Sequence, residues 1–158
     1  WEINPKGAVP VLETDSDKIL TENCAILIYL AEESNSITLL PPIGEFARYR
    51  ILEWLNFVST ELHKGFAPLF NAQISQEFKK DIVIPNIKKK FAFIEANLKN
   101  KKYLMGSHFT LPDAYLFVTL TWAEQMKIDI SENTALTHYY AELKKHPSIA
   151  KSLAQEGL

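Results

Sequence analysis

The hexapeptide Phe109-Thr110-Leu111-Pro112-Asp113-Ala114 constrains this chain more than any other stretch. Thr110 followed three residues later by Asp113 has the pattern of a capping box, in which each side chain covers the other's free backbone N–H. The box prefers Glu or Gln at its second place, so Asp is a shorter variant. Phe109 stands where a hydrophobic staple would press on Ala114, and Pro112 falls in the first turn, where its missing N–H costs nothing. The helix this predicts runs from Tyr115 to about Met126 and is apolar nearly all round. Such a helix needs neighbours on every side, which puts it at the centre of a helical bundle.

The surrounding segments supply those neighbours. From Glu45 to about Lys64, Ile51, Leu55, Val58 and Leu62 recur at the spacing of one buried helix face. Gly65 and Pro68 are expected to break that helix. A second long helix is predicted over about Ser75 to Leu98, with Ile84, Ile87, Phe91, Ile94 and Leu98 at steps of three and four; Pro85 should kink or divide it. Two shorter helices, about Asn133 to Lys145 and Ser148 to Gln155, are split by His146-Pro147.

The N-terminal part reads differently. Asn4 to Pro10 is a loop, turned by Pro and Gly, that leads into an apolar strand ending near Leu12. The polar turn Asp15-Ser16-Asp17 separates it from a second short strand, Lys18-Ile19-Leu20. Thr21-Glu22-Asn23 then starts a helix through Ala25, Ile28, Tyr29 and Ala31. Leu39 to Gly44, with two prolines and a glycine, ends this pattern before the helical region begins.

Composition narrows the classes of function. The 158 residues, 47% hydrophobic and 11% aromatic, can bury a sizeable core: one full domain, or one plus a remnant. Basic and acidic residues number 17 and 19, so electrostatics offers no reason to expect nucleic acid or anionic lipid as a partner. A lone cysteine rules out an internal disulfide and any Cys-rich zinc site, in keeping with a reducing cytoplasm. No apolar stretch reaches the roughly 18 residues of a membrane helix, and no signal-peptide core is visible.

Several separated stretches together resemble the bacterial beta-class glutathione transferases. They are Asn4 to Leu12, Leu20-Thr21-Glu22, Glu53-Trp54-Leu55-Asn56-Phe57, Glu61-Leu62-His63-Lys64-Gly65-Phe66 with Pro68-Leu69-Phe70, Phe109-Thr110 with Asp113 to Phe117, and Glu156-Gly157-Leu158. They cover nearly the whole chain in the family's order, and the Glu-Leu-His-Lys-Gly-Phe string is the most class-specific. The resemblance implies a mostly α fold. Residues 1–40 would form the hairpin and helix of a partial thioredoxin-like α/β unit, and residues 41–158 an all-α helical-bundle domain. It implies a cytoplasmic homodimer that conjugates the thiol of glutathione, its co-substrate, to small electrophilic, hydrophobic compounds in detoxification, without a metal, nucleic acid or membrane. The first β-α-β part of the thioredoxin-type unit is expected to be lacking, and with it the residue that in the family activates the thiol. A chain starting at Trp1 is therefore expected to conjugate weakly. Two alternatives stay open: a non-enzymatic dimerisation or binding module of the same fold, and a glutathione-dependent reductase or isomerase.

The candidate site residues each carry two readings. Only about 5–6% of X–Pro bonds are cis in folded proteins, so Val9-Pro10 alone reads as trans. The resemblance implies a cis bond that turns the Val9 backbone toward the cysteinyl unit of glutathione. Thr21-Glu22-Asn23 reads as a helix cap with a favourable acid, or as an anion-binding helix N-terminus. On the resemblance, Glu22 takes the ligand's ammonium and Asn23, where the family usually has Ser or Gly, takes its γ-glutamyl carboxylate. His63 and Lys64 read as favourable charges at a helix C-terminus. On the resemblance, His63 is catalytic, lying beside the sulfur as hydrogen-bond partner or proton acceptor, and Lys64 adds positive potential that favours the nucleophilic thiolate. Asn56, Thr60 and Glu61 match positions that reach the family's site, some across the dimer interface. Cys24 lies on an apolar face and is expected to be buried and inert. His108, His138 and His146 show no metal-ligand spacing, and Trp54 and Trp122 read as core before ligand wall.

Overall fold

The structure is a computed structural model that describes residues 2–158. Asn4, buried, organises the first loop: its amide donates to the Ala8 carbonyl at 2.6 Å, and its side-chain oxygen accepts from the Lys6 N–H at 3.1 Å. Strands β1 (Val11–Glu13) and β2 (Ile19–Thr21) pair antiparallel, with Val11 opposite Thr21. Asp17 closes their turn at φ 59°, a left-handed conformation that Asp tolerates. Helix α1 (Asn23–Glu33) packs on this hairpin, and a loop over 34–45 leads into the helical region. Among the described residues, no helix is long and apolar enough to cross a membrane.

The helices follow the apolar spacing, with one correction. α2 (Phe46–Phe57), a π turn (Val58–His63) and α3 (Lys64–Phe70) run on without a break, so neither Gly65 nor Pro68 ends the helix there. Packing overrides propensity: Leu62 and Phe66 are fully buried, and tertiary burial supplies most helical stability in proteins. A Cβ at Gly65 would only touch Ile87, at 3.9 Å. The helix ends two residues beyond Pro68, at Phe70. The second long segment is divided as expected. α4 (Gln76–Phe78), capped by the Ser75 hydroxyl, passes through a second π turn (Lys79–Val83) into α5 (Ile84–Leu98), whose first turn holds Pro85. Proline has no N–H for the preceding turn and its ring crowds that turn's carbonyl, so the wider π turn falls just before it.

α6 (Leu111–Gln125) is central and buried along most of its length, and its capping box forms. Asp113, 0% exposed, does more than cap. One carboxylate oxygen accepts the Thr110 N–H and hydroxyl at 2.8 and 2.7 Å. The other accepts the Leu104 N–H at 2.9 Å and the Tyr139 hydroxyl at 2.8 Å. Phe109 stacks on His146, with ring centroids 4.3 Å apart, and meets Tyr103 edge-on. Glu95 of α5 caps α7 (Thr134–Lys144) from outside, accepting the Ala135 and Leu136 N–H groups at 3.2 and 2.7 Å. α8 (Pro147–Glu156) ends on Gly157 at φ 74°, where glycine relieves the left-handed strain. Arg48 ties the linker down by bonding the Pro41 carbonyl and Glu32.

Candidate functional site

A cleft of about 740 Å³ opens where the first loop, the start of α1, the first π turn and one face of α6 meet. That volume is in the range of small-ligand sites, about 300–1,000 Å³. The loop contributes Val9 and Pro10, joined by a cis peptide bond, and the Val9 side chain is 91% exposed. The start of α1 contributes Glu22, Asn23 and Cys24. Glu22 occupies the N-cap at φ 74° and ψ 115°, and no side chain caps the helix. A non-glycine residue rarely adopts that backbone, and such outliers concentrate at ligand sites. The leading N–H groups of α1 thus face the cleft without a side-chain acceptor, where the helix dipole favours negative charge.

The cleft carries both signs of charge. Lys6 Nζ bonds the Glu22 carboxylate at 2.5 Å and the Thr21 hydroxyl at 3.0 Å. That hydrogen bond, and then the charge of Lys6, hold the Glu22 carboxyl below the usual carboxylate range. Lys64 lines the same space. Burial, and secondarily Lys64, pushes His63 below its ordinary pKa, so its imidazole is neutral at pH 7. His63 Nδ1 is 2.9 Å from the Tyr115 hydroxyl, and the ring meets the edge of Trp122 at 4.8 Å. Burial also raises the Cys24 thiol above its ordinary value, which keeps it protonated. Leu27, Val118 and Trp122 form an apolar side, with Phe70 edge-on to Trp122 at 5.2 Å. Among the described residues, no group of three or more His, Cys, Asp or Glu is placed to hold a metal ion. The arrangement gives the cleft a polar, mixed-charge end at α1 and an apolar side beside the neutral His63.

The family model described as the C-terminal domain of glutathione S-transferase matches residues 57–147. The glutathione S-transferase GstA of Escherichia coli O157:H7 is 38% identical over 158 residues, which are 100% of this chain and 78% of that protein. The chain belongs to the glutathione S-transferase family. Solved structures agree. The bacterial beta-class glutathione S-transferase of Sphingomonas chungbukensis superposes with a TM-score of 0.92 at 38% identity, covering 99% of this chain and 78% of its own. A sphingomonad glutathione S-transferase complexed with glutathione gives 0.92 at 36% identity, with the same coverage. The beta-class resemblance and the partial thioredoxin-like unit followed by a helical domain are therefore borne out.

Of the residues the transferase resemblance singles out, Val9, Pro10, Glu22, Asn23, Asn56, His63 and Lys64 line this one cleft. Asn56 is partly committed, its amide donating to the Leu52 carbonyl at 2.9 Å. Thr60 and Glu61 do not line it. The Thr60 hydroxyl turns back to the Asn56 carbonyl at 3.0 Å, and Glu61 pairs with Lys90 of α5. One expectation needs correcting. Cys24 is only half-buried: it packs against the core on one side and lines the cleft on the other, its thiol 3.8 Å from the Leu55 carbonyl. Trp54 is core, and Trp122 packs against the core, edge-on to Phe66, while also walling the cleft. Sequence reasoning missed Lys6, Ser59 and Tyr115. Tyr115, Val118 and Trp122 do recur at steps of three and four on α6, a face signal hidden by that helix being apolar all round. Lys6 and Ser59 carry no such signal.

Proposed function

We propose that this chain conjugates the thiol of glutathione to small electrophilic, hydrophobic substrates, in detoxification. The observation that carries this reading is a single cleft that joins an uncapped helix N-terminus and an ionised carboxylate to a neutral histidine and an apolar wall. The ammonium of the γ-glutamyl unit meets Glu22, replacing the Lys6 ammonium that occupies that place in the free chain. Asn23 and the first N–H groups of α1 take the neighbouring carboxylate. The Val9 backbone beside Pro10 receives the cysteinyl unit. His63, with Lys64 beside it, faces the sulfur, where a donor and a cation lower the thiol's pKa and raise the population of the nucleophilic thiolate. Leu27, Val118 and Trp122 offer the electrophile its apolar surface.

The same reading divides the chain into a glutathione-binding unit over 1–40 and a helical domain over 41–158, and places it in the cytoplasm as a homodimer. Phe46, 75% exposed, with Tyr49 and Phe93, also exposed, gives the helical region apolar surface for a second copy. Asn56 serves its own chain's cleft, whereas Thr60 and Glu61 would reach a ligand only across that interface. Calorimetry with glutathione tests the site. Glu22→Ala should weaken binding by about 2 kcal/mol, the low end for truncating one partner of a charge pair, which is roughly 30-fold. His63→Ala should leave affinity nearer normal and move the pH–rate profile to higher pH. If both variants bind glutathione like the wild type and keep its pH profile, the site is misplaced.

A further inference from the structure

Behind His63 stands a phenol. Tyr115, buried on α6, makes a 2.9 Å hydrogen bond to the imidazole Nδ1. A neutral imidazole has one N–H and one lone-pair nitrogen, and the partner of one nitrogen decides the state of the other. A phenol keeps its proton at neutral pH, and burial pushes that of Tyr115 further up. A phenol O–H is a strong donor and a bare imidazole nitrogen a strong acceptor, so the 2.9 Å contact is best met with the Tyr115 O–H donating to an unprotonated His63 Nδ1. Nε2 is then the nitrogen left for a ligand. The charged and titratable groups around this ring are Lys64 on its own helix, Tyr115 on α6, Cys24 and Glu22 at the start of α1, and Lys6 on the loop.

We propose that Tyr115 is a positioning residue: its O–H donates to His63 Nδ1, holds the proton on Nε2, and so presents a fixed N–H donor to the sulfur of glutathione. The inference rests on reading the cleft as a glutathione site. It decides between two roles for His63, since a ring already protonated on the ligand-facing nitrogen is a donor and not a base. The thiol proton leaves to solvent, and the thiolate that remains accepts a charge-assisted hydrogen bond from Nε2–H.

Nitrogen-15 NMR of the His63 ring in the full chain reads directly which nitrogen carries the proton. The wild type, free and with glutathione, should show Nε2 protonated and Nδ1 bare. Tyr115→Phe, which removes only the hydroxyl, should give a mixture of tautomers and leave glutathione affinity little changed. The pKa of the bound thiol, read by thiolate absorbance, should rise by about 0.3 unit in that variant, the cost of drawing the Nε2-protonated ring from an even mixture of tautomers. A wild-type ring protonated on Nδ1 overturns the proposal, as does a Phe variant with unchanged tautomer and thiol pKa. If glutathione fails to bind the wild type at all, the reading of the cleft falls, and with it the donor role at sulfur. The ligand-free spectra then decide the Tyr115–His63 bond on their own.

Discussion

At the start of α6, Asp113 is buried and meets four donors; at the start of α1, Glu22 is exposed, strained and caps nothing. Both are acids at the positive end of a helix dipole, so local chemistry favours each about equally. The difference lies in what surrounds them. Asp113 joins the loop at Leu104, the cap at Thr110 and the Tyr139 hydroxyl of α7, and nothing is left over for a ligand. Glu22 leaves the first N–H groups of α1 open and is held only by Lys6, an exposed contact of little energetic weight. One helix end is spent on holding the fold together, and the other is left open to the cleft.

The comparison breaks most visibly at Asp113. Asp113→Ala should destabilise the protein by about 3–5 kcal/mol in chemical denaturation, because two backbone N–H groups and two hydroxyls lose a buried acceptor. Thr110→Ala should cost only about 0.5–2 kcal/mol, the value of a cap. The double variant should fall short of the sum, since both residues act in one motif. Equal losses from the two single variants would reduce Asp113 to an ordinary cap.

Glu22 should respond with the opposite sign. Glu22→Gly removes a side chain from a left-handed backbone and should raise stability by about 0.5–1 kcal/mol, while glutathione binding weakens at least as much as in Glu22→Ala. A destabilised glycine variant would mean that the strain at φ 74° is not real.

The smallest effect is in the pH dependence, where the two acids should move in opposite directions. Burial, outweighing its donors, raises the Asp113 carboxyl above its ordinary value. Its folded form therefore binds a proton more tightly than the unfolded chain, and its contribution to stability grows as pH falls through the raised value and is lost as pH rises through it. Glu22, lowered by Lys6, contributes stability above the ordinary carboxylate value and loses it as pH falls through the lowered one. Melting curves from pH 7 to pH 4 should show the gap between wild type and Asp113→Asn widening and the gap to Glu22→Gln narrowing. Parallel trends would remove the distinction between the two helix ends.

The sequence by itself determined the elements whose cause is local. The hairpin, the Thr110–Asp113 box, the apolar faces of α2 and α5 and the division ahead of Pro85 follow from hydrogen-bonding chemistry and periodicity within a few residues. The family and most of the cleft, from Val9 through Lys64, were legible from short motifs. Only the tertiary structure decided the rest. It carried the helix through Gly65 and Pro68, because burying Leu62 and Phe66 outweighs two weak formers. It turned Glu61 toward Lys90 and Thr60 back onto its own helix, outside the cleft. It also set Tyr115 against His63, 52 positions away in the chain. Spacing along a sequence records which face of a helix a residue occupies; what meets that face depends on where the other helices pack.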